Sequence, residues 1–355
     1  MTLRVDQLLA GFADGDAISQ AALAMRDVLR GGGLESDIYA EPRHTSPTLR
    51  GVARDVAAYR PGDAVLHHYS IGSPVVNQFV GAATKRVLVY HNITPDSYFA
   101  PYDTAVAASL REARRQLGLV ARQVDAVWAV SEFNAAELRA LGCPDVQVFP
   151  LVFDRRTMDV AEAPEIRGRL AGPLTTYMAV GRLAPNKRLE MLIKAFHFLV
   201  RGLNPYSRLV LIGSRDSCPR YVDMLQMLVS DLDIPNVCFE GFAAPEALAT
   251  YYRCADVVVS TSDHEGYCLP LLEAMHHEAV VVAHRVGGMP EAMGGAGVLY
   301  EGLDAAGLAA LLHRVAADGG LRASILNGQR RRMASLEARP VEQELLALVR
   351  RVVPA

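Results

Sequence analysis

The stretch DVVVSTSDHEGYCLPLLEAM, residues 256–275, decides the fold and contains two glutamates that lie eight positions apart. Residues 256–260 form an apolar run, which predicts a buried strand. Pro270 is well placed to open a helix, because the N–H group that proline lacks is one that the first helical turn leaves unpaired. We therefore expect Glu265 in the loop above the end of a strand, and Glu273 in the first turn of the helix that follows.

The loop between these two glutamates favours an anionic ligand. Its backbone N–H groups are expected to point outward at a helix N-terminus, which is a natural binding site for anions. Two carboxylates beside such a site suit a ligand that has both hydroxyls and phosphates, and a nucleotide sugar is such a ligand. The alternative is structural: Glu265 is merely solvated, and Glu273 stabilises the helix dipole from the first turn.

A second loop carries two cations between a predicted strand and a predicted helix. Residues 177–180 predict the strand, and the sequence GRLAPNKRLE follows as residues 181–190. Asn186 is a candidate cap for a helix whose apolar residues recur at the spacing of one buried face. Arg182 and Lys187 are thus held on one loop, where they can converge on a diphosphate. The alternative is two solvated surface cations, the usual state of these residue types.

The composition is that of an ordinary globular protein. The chain has 355 residues, a formal net charge of −3, 51% hydrophobic residues and 21% charged residues. This length predicts two domains, and the charge shows no basic excess for nucleic acid. The first residues lack the pattern of a signal peptide, and no apolar run approaches the ~18 residues of a membrane-spanning helix. The five scattered cysteines suggest neither disulfides nor zinc, so we expect a cytoplasmic protein.

Short apolar runs alternate with helical stretches along the whole chain. Continuous apolar runs are typical of parallel strands that are covered on both faces. Their alternation with helices predicts doubly wound sheets, so the expected fold class is α/β with two Rossmann-like domains. The predicted strands are residues 3–9, 64–67, 87–90, 124–130, 146–151, 177–180, 209–212, 237–240, 256–260, 280–283 and 298–300.

The two loops together resemble family 4 of the retaining glycosyltransferases. The acidic stretch resembles the family's pattern of Glu, seven residues and Glu around a Gly-aromatic-x-Leu-Pro core, and residues 181–187 resemble its Gly-Arg-Leu…Lys loop. The resemblance is strongest over about residues 177–300. It implies the fold called GT-B, in which two Rossmann-like domains face a central cleft, and an enzyme that needs no metal or other cofactor besides its nucleotide-sugar substrate.

The domain junction is predicted near residues 153–173, where prolines and glycines interrupt the periodicity. The acceptor-side domain then comprises residues 1–155 together with 338–355, and the donor-binding domain comprises residues 156–337. The resemblance implies that a C-terminal helix returns to the first domain, and the apolar stripe in residues 342–353 fits that helix.

The resemblance also implies roles for individual residues. Arg182 and Lys187 would stabilise the departing diphosphate. Glu265 would face the donor sugar, and Glu273 would hold the ribose hydroxyls. His91 follows a predicted strand and resembles a family histidine that touches the donor; if it titrates near neutrality it can donate to a leaving oxygen, and a structural histidine is the alternative. The other donor-binding residues that the resemblance implies are Gly15, Gly266, Tyr267, Cys268, Leu269, Gly213, Ser214 and Gly288.

Two further clusters are less specific. The histidines His264, His276, His277 and His284 lack the spacing of metal ligands, so no metal site is predicted. A predicted helix carries a basic cluster, Arg111, Arg114, Arg115 and Arg122. The cluster suits binding to anionic lipid or to a lipid diphosphate acceptor, and a solvated charged face is the alternative. Asn134, together with Glu137, is predicted to cap the helix after residues 124–130.

The predicted function is retaining transfer of a hexose from a GDP- or UDP-hexose to a saccharide or lipid-linked glycan, in bacterial polysaccharide assembly. The alternatives are a nucleotide-sugar epimerase or phosphorylase of the same fold, and a non-catalytic subunit that binds a nucleotide sugar. The presence of all four charged residues at 182, 187, 265 and 273 argues against a non-catalytic subunit. A dinucleotide-binding oxidoreductase is disfavoured, because no Gly-x-Gly-x-x-Gly pattern follows the first strand.

Overall fold

The computed structural model describes residues 2–354 and divides the chain into two compact units. Unit 1 comprises Met1–Asp96, Ala105–Val152 and Arg339–Ala355, and unit 2 comprises Ser97–Thr104 and Phe153–Ala338. Met1 and Ala355, which the sequence assigns to the first domain, lie outside the described residues. Ser97–Thr104 belongs to unit 2, although it lies within the sequence range predicted for the first domain.

Unit 1 is built on a seven-stranded sheet whose neighbouring strands are all parallel. The strands are β1 (Val5–Leu9), β2 (Ile38–Ala40), β3 (Arg54–Asp55), β4 (Ala64–Tyr69), β5 (Lys85–Tyr90), β6 (Ala126–Ala129) and β7 (Val146–Val148). The helices of this unit are α1 (Ala17–Gly31), α2 (Val75–Val80), α4 (Thr104–Ala121) and α5 (Glu132–Ala140), while the short helix α3 (Asp96–Phe99) lies almost wholly in the segment Ser97–Thr104 of unit 2. The strand order is β3-β2-β1-β4-β5-β6-β7.

Unit 2 repeats this arrangement with a six-stranded parallel sheet. The strands are β8 (Thr175–Val180), β9 (Ser207–Ile212), β10 (Val237–Gly241), β11 (Val257–Ser260), β12 (Val280–His284) and β13 (Val298–Tyr300). The helices are α6 (Pro164–Leu170), α7 (Leu189–Gly202), α8 (Pro219–Asp231), α9 (Pro245–Cys254), α10 (Leu269–His276), α11 (Met289–Met293), α12 (Ala305–Ala317) and α13 (Gly319–Glu337). The strand order is β10-β9-β8-β11-β12-β13.

The apolar faces of the helices cover both sheets. In unit 2, α7 buries Leu192, Ile193 and Phe196 completely, and each such side chain contributes about 1.5–3 kcal/mol when it is removed from water. The C-terminal helix α14 (Val341–Val352) belongs to unit 1, where Leu345 and Val349 join the buried cluster around β1, β4 and β5.

All eleven predicted strands are present, and the predicted class of two doubly wound parallel sheets is confirmed. The sequence did not predict β2 and β3, which are only three and two residues long. In each sheet the strand order reverses beside the first strand, between β1 and β4 and between β8 and β11. Ligands of such sheets bind at the carboxyl ends of the strands at this switch point. The two motif loops follow β8 and β11, so they meet at the switch point of unit 2.

Candidate functional site

The cationic loop is fixed by hydrogen bonds to the acidic loop. After β8 the chain forms a short 3-10 helix, Pro185–Lys187, and α7 begins only at Leu189. The Thr261 hydroxyl donates a hydrogen bond that is shared between the carbonyl oxygens of Lys187 and Arg188, which lie 2.9 and 3.0 Å from its Oγ1. Asn186 does not cap α7 as predicted, because its side-chain amide donates to the carbonyl of His264 at 3.1 Å. These hydrogen bonds join the two loops into one platform in unit 2.

Lys187 and Glu265 form a partly enclosed ion pair on this platform. The Lys187 Nζ lies 2.5 Å from Glu265 Oε1, and the side chains are 16% and 12% exposed. Ser262 donates to the same carboxylate oxygen at 2.7 Å. Burial lowers the pKa of Lys187, but the neighbouring charge of Glu265 outweighs it, so the pKa lies above its ordinary value. Lys187 is therefore a permanent cation at neutral pH.

Arg182 is the cation of this loop that is available to a ligand. Its side chain is exposed, and within residues 2–354 it makes no hydrogen bond or ion pair. It lies close enough to Lys187 for its charge to lower the pKa of that lysine. Arg188, by contrast, is paired with both Asp263 and Glu190. Arg182 can therefore approach an anion without breaking a contact.

The acidic loop ends in the N-terminus of α10. Cys268 has a φ of 80° and α10 begins at Leu269, with Pro270 as its second residue. Glu273 is consequently the fifth residue of the helix, and the prediction that it lies in the first turn is wrong. The helix dipole acts mainly within the first turn, so it does not account for Glu273.

Glu273 is instead buried beside a tyrosine. It is 8% exposed, and its Oε2 accepts a hydrogen bond of 2.7 Å from the hydroxyl of Tyr252. Burial raises the pKa of Glu273, and the hydrogen bond from Tyr252 offsets part of this shift. Oε1 accepts no hydrogen bond within the described part of the chain. This oxygen is thus the one that can accept from a ligand hydroxyl.

The side chains between the two glutamates are unsuited to direct chemistry. Tyr267 and Leu269 are 3% and 4% exposed, so this stretch can offer a ligand mainly its backbone. Burial raises the pKa of Cys268 to about 12, so its thiol stays protonated at neutral pH. Gly266 lies between Glu265 and these buried residues. The predicted donor contacts of all four residues stay predictions.

Glycines allow the loops of unit 2 to approach one another. A Cβ on Gly213 would lie 1.9 Å from the carbonyl oxygen of Gly181, and a Cβ on Gly287 would lie 2.2 Å from that of Glu265. The N–H of Gly288 donates to the same Glu265 carbonyl at 3.0 Å. No other residue fits at Gly213 or Gly287 without moving the loop that carries Lys187 or Glu265.

The remaining predicted residues lie as follows. Ser214 caps a short 3-10 helix by accepting from the N–H of Asp216 at 3.1 Å. In unit 1, Gly15 has a φ of 69° and precedes Asp16, which caps α1 as the predicted strand-to-helix loop requires. Their predicted contacts with a donor stay predictions.

His91 does not have the protonation behaviour that the sequence predicts. It is 8% exposed, and its Nε2 lies 2.8 Å from Nδ1 of His68. Burial lowers the pKa of His91 to about 3. It is therefore neutral at physiological pH and is not an acid that titrates near neutrality.

Two other sequence predictions are corrected in unit 1. Ser131, not Asn134, caps α5, since its hydroxyl accepts from the N–H of Asn134. The Asn134 side chain is buried and accepts from the amide of Asn92 at 2.8 Å. Three arginines of the predicted basic cluster form ion pairs with carboxylates of their own unit: Arg111 with Asp96, Arg114 with Glu137 and Arg115 with Glu112.

Cavities and metal ligands add little to the site. A small cavity of about 20 Å³ lies among Gly181, Arg182, Lys187 and Ser262. A cavity of about 540 Å³ in unit 1 is lined by Trp128 and residues of α14, and by Arg122 of the predicted basic cluster. Among residues 2–354, no group of three or more His, Cys, Asp or Glu side chains is arranged to hold a metal ion. No helix of this range is long and apolar enough to cross a membrane.

Known proteins resemble the chain in sequence. Residues 175–318 match the family model described as Glycosyl transferases group 1. The D-inositol 3-phosphate glycosyltransferase of Thermomonospora curvata is 29% identical over 281 residues, which are 77% of this chain and 62% of that protein. The protein of the same name from Acidothermus cellulolyticus is 32% identical over 198 residues, 52% of this chain and 43% of that one. The chain thus matches less than two thirds of the length of either relative.

Solved structures resemble the chain in fold. Sucrose-phosphate synthase from Thermosynechococcus elongatus gives a TM-score of 0.75 at 19% identity, over 98% of this chain and 99% of that one. HepE of Anabaena, in complex with UDP and glucose, gives 0.71 at 19% identity with the same coverage. These likenesses confirm the predicted GT-B fold. Residues 175–318, less than half of the chain, thus resemble the glycosyltransferases described as group 1, and the fold of the chain is that of the GT-B glycosyltransferases.

Proposed function

We propose that the protein is a retaining glycosyltransferase that moves a hexose from a nucleoside diphosphate sugar to a hydroxyl of a saccharide or lipid-linked acceptor. The observation that carries this proposal is the group formed by the Lys187–Glu265 pair and the unpaired Arg182 beside the N-terminus of α10. The family model that matches residues 175–318 supports the same reaction class. We propose a role in bacterial polysaccharide assembly as the setting.

In this proposal, separate residues of the site bind the diphosphate, the ribose and the hexose of the donor. The diphosphate would lie between Arg182 and Lys187, with the first N–H groups of α10 completing an anion site. The free oxygen of Glu273 would accept a hydrogen bond from a ribose hydroxyl, because the other oxygen is occupied by Tyr252. The second oxygen of Glu265, which accepts no bond within the described residues, would accept from a hydroxyl of the hexose.

The ion pair explains how one lysine can serve both the empty and the loaded site. Without a donor, Glu265 compensates the charge of Lys187 in surroundings that expose little of either side chain. When the diphosphate arrives, Lys187 shares its N–H donors between the carboxylate and a phosphate oxygen, since an ammonium has three of them. The lysine is thus held in position before the substrate binds.

The proposed step needs no separate general base. The acceptor oxygen forms a bond to the anomeric carbon on the face from which the β-phosphate oxygen departs, as the bond between that carbon and that oxygen breaks. The departing oxygen keeps the electron pair and takes the acceptor's proton. Arg182 and Lys187 stabilise the charge that grows on the phosphate, and one preorganised contact of this kind contributes about 10²–10³ in rate.

The first experiment measures hexose release from UDP-, GDP- and ADP-glucose together with the thermal shift that each compound causes. Lys187→Ala is compared with Lys194→Ala, which removes an exposed lysine from α7. Release by the wild type and by Lys194→Ala, with loss in Lys187→Ala, supports the proposal. Equal turnover in Lys187→Ala overturns the role of that lysine. Stabilisation by a nucleotide without release in the presence of any acceptor favours the non-catalytic subunit.

The stereochemistry and the acceptor need their own assay. The anomeric configuration of the product, read by proton NMR, should equal that of the donor, and inversion would overturn the retaining mechanism. D-inositol 3-phosphate is the first acceptor to test, because the sequence relatives carry that name. Oligosaccharides and lipid-linked glycans form the second set, and transfer to them alone would support a role in polysaccharide assembly.

A further inference from the structure

The helix α9 of unit 2 carries none of the predicted site residues, yet it holds one of them in place. Tyr252 of α9 is 0% exposed, and its hydroxyl donates to Glu273 Oε2 at 2.7 Å. Burial raises the pKa of Tyr252 well above its ordinary value, and the charge of Glu273 raises it further. The phenol therefore keeps its proton and remains a donor throughout the physiological pH range.

His277, directly after α10, stacks on the ring of Tyr252. The two ring centroids lie 5.8 Å apart, and the ring planes are inclined by 19°, which is a favourable arrangement of flat rings. Burial lowers the pKa of His277 to about 4, so the stacked imidazole is uncharged at neutral pH. Its Nε2 is buried and has no hydrogen-bond partner in the described part of the chain. The contact of His277 with the tyrosine is thus a stack and not a hydrogen bond.

The hydrogen bond from Tyr252 fixes a group that could otherwise rotate. The last torsion of a glutamate is broad and roughly two-fold, so a free carboxylate can present either oxygen. With Oε2 bonded to Tyr252, Oε1 is the oxygen that stays open, and within residues 2–354 it accepts no hydrogen bond. Burial raises the pKa of Glu273, and the bond from Tyr252 lowers it again in part, because a hydrogen bond to the charged form favours that form.

The other ionisable groups around α10 are neutral or bonded elsewhere. Cys268, on the loop before the helix, keeps its proton because burial raises its pKa to about 12. The helix α13 packs against α10, but its Arg322 and Arg332 donate to backbone carbonyls, and its Arg330 pairs with Glu278. Among the described residues, Tyr252 is thus the side chain that bonds to the Glu273 carboxylate.

We propose that Tyr252, held by His277, is a positioning residue that makes the nucleotide site of unit 2 select ribonucleotides over deoxyribonucleotides. By occupying Oε2, Tyr252 turns Oε1 towards the ligand and keeps it an acceptor for a ribose hydroxyl. This inference rests on the proposed function, because it takes the ligand to be a nucleotide. It narrows the donor class, since thymidine diphosphate sugars carry deoxyribose and would be poor donors.

The first test needs no ligand. Carbon-13 NMR of protein labelled at the glutamate carboxyl carbon follows the protonation of Glu273, and Glu273→Gln assigns its signal. We expect Tyr252→Phe to move the titration midpoint to higher pH, because this variant keeps the stacked ring and removes only the donor. Tyr251→Phe is the matched control, since Tyr251 is the neighbouring residue of α9, is 3% exposed and donates to Glu240 instead. An unchanged midpoint in Tyr252→Phe overturns the inference.

The second test measures binding by calorimetry. Whichever of UDP, GDP and ADP stabilises the wild type most is compared with its 2′,3′-dideoxy form, which should bind the wild type more weakly. We expect Tyr252→Phe and His277→Ala to weaken the ribonucleotide about tenfold (~1.4 kcal/mol) and to leave the dideoxy form unchanged. His277→Phe keeps a ring for the stack and should bind like the wild type, as should Tyr251→Phe. Equal loss for both nucleotides would mean a merely structural role and overturns the inference.

A double variant shows whether Tyr252 acts through the carboxylate. In a Glu273→Ala background, Tyr252→Phe should change the affinity no further, because no carboxylate is left to position. A wild type that binds the nucleotide, with a Tyr252→Phe variant that binds it equally well, overturns this inference and leaves the proposed function standing. If the wild type binds none of the three nucleotides, the proposed donor site and its selectivity both fall, and the titration alone decides whether Tyr252 sets the charge of Glu273.

Discussion

Replacing Lys187 with methionine should separate the structural role of the Lys187–Glu265 pair from its role in catalysis. The variant keeps a side chain of similar length and removes the cation. In wild type, Glu265 Oε1 accepts from both Lys187 and Ser262, and the Glu265 side chain is 12% exposed. In the variant it keeps only the hydrogen bond from Ser262. The double variant Lys187→Met/Glu265→Gln removes both charges and leaves an amide oxygen that still accepts from Ser262.

The expected magnitudes follow from the burial of the pair. Removing one partner of a fully buried ion pair destabilises a protein by about 3–5 kcal/mol, and the residual exposure of both side chains places the single variant near the lower end. The double variant should regain most of this loss, because no unpaired charge is left. Turnover should fall by about 10²–10³ in both variants, since both lack the Lys187 contact that stabilises charge on the departing phosphate.

Chemical denaturation at neutral pH and turnover of the sugar nucleotide measure the two effects on the same samples. The raised pKa of Lys187 means that its stabilisation is present below the ordinary value of 10.5 and is lost only as the pH rises through the higher, folded-state value. Neutral pH therefore reports the full effect. Lys194→Met is the control and should change neither quantity. A double variant that recovers turnover with stability would refute the reasoning, because the lysine would then act only by holding the loop.

Three further outcomes are expected. In calorimetry, Arg182→Ala should weaken nucleoside diphosphate binding about tenfold and leave nucleoside binding unchanged. The control Arg220→Ala, which removes another exposed arginine of unit 2, should change neither affinity. The raised pKa of Glu273 predicts that nucleotide affinity falls as the pH is lowered from neutrality, because a carboxylate binds a hydroxyl more strongly than a carboxyl does. Glu273→Gln should abolish this pH dependence. If the variant shows the same pH profile as the wild type, Glu273 is not part of the ribose site. Gly287→Ala should lower the thermal midpoint more than Gly295→Ala, since both positions have positive φ but only the first places a Cβ against a backbone oxygen; equal shifts would show that the loops are free to separate.

The sequence predicted the sheets well because parallel strands are continuously apolar and separated by helices. It missed β2 and β3 because three or two residues do not form a pattern. Within the site, Glu265 lies in a loop as predicted, but Glu273 was misplaced by one helical position. The helix begins at Leu269, directly after Cys268, which adopts a left-handed conformation that sequence pattern does not indicate for a cysteine.

The two predicted asparagine caps failed for a different reason. Asn186 and Asn134 have the residue type and the position that favour capping, yet both side chains are buried and bond to residues distant in sequence. The partner of Asn186 is 78 residues away and that of Asn134 is 42 residues away. Local propensity cannot anticipate such partners. The same limit applies to His91, whose pKa is lowered by burial and by neighbouring His67.

The two units use the same strand order to present different chemistry at their switch points. The loops after β8 and β11 hold a permanent lysine cation and an unpaired arginine, and a diphosphate requires charge of this kind. In unit 1, His91 directly after β5 is instead neutral, and its buried Nδ1 has no hydrogen-bond partner within the described residues.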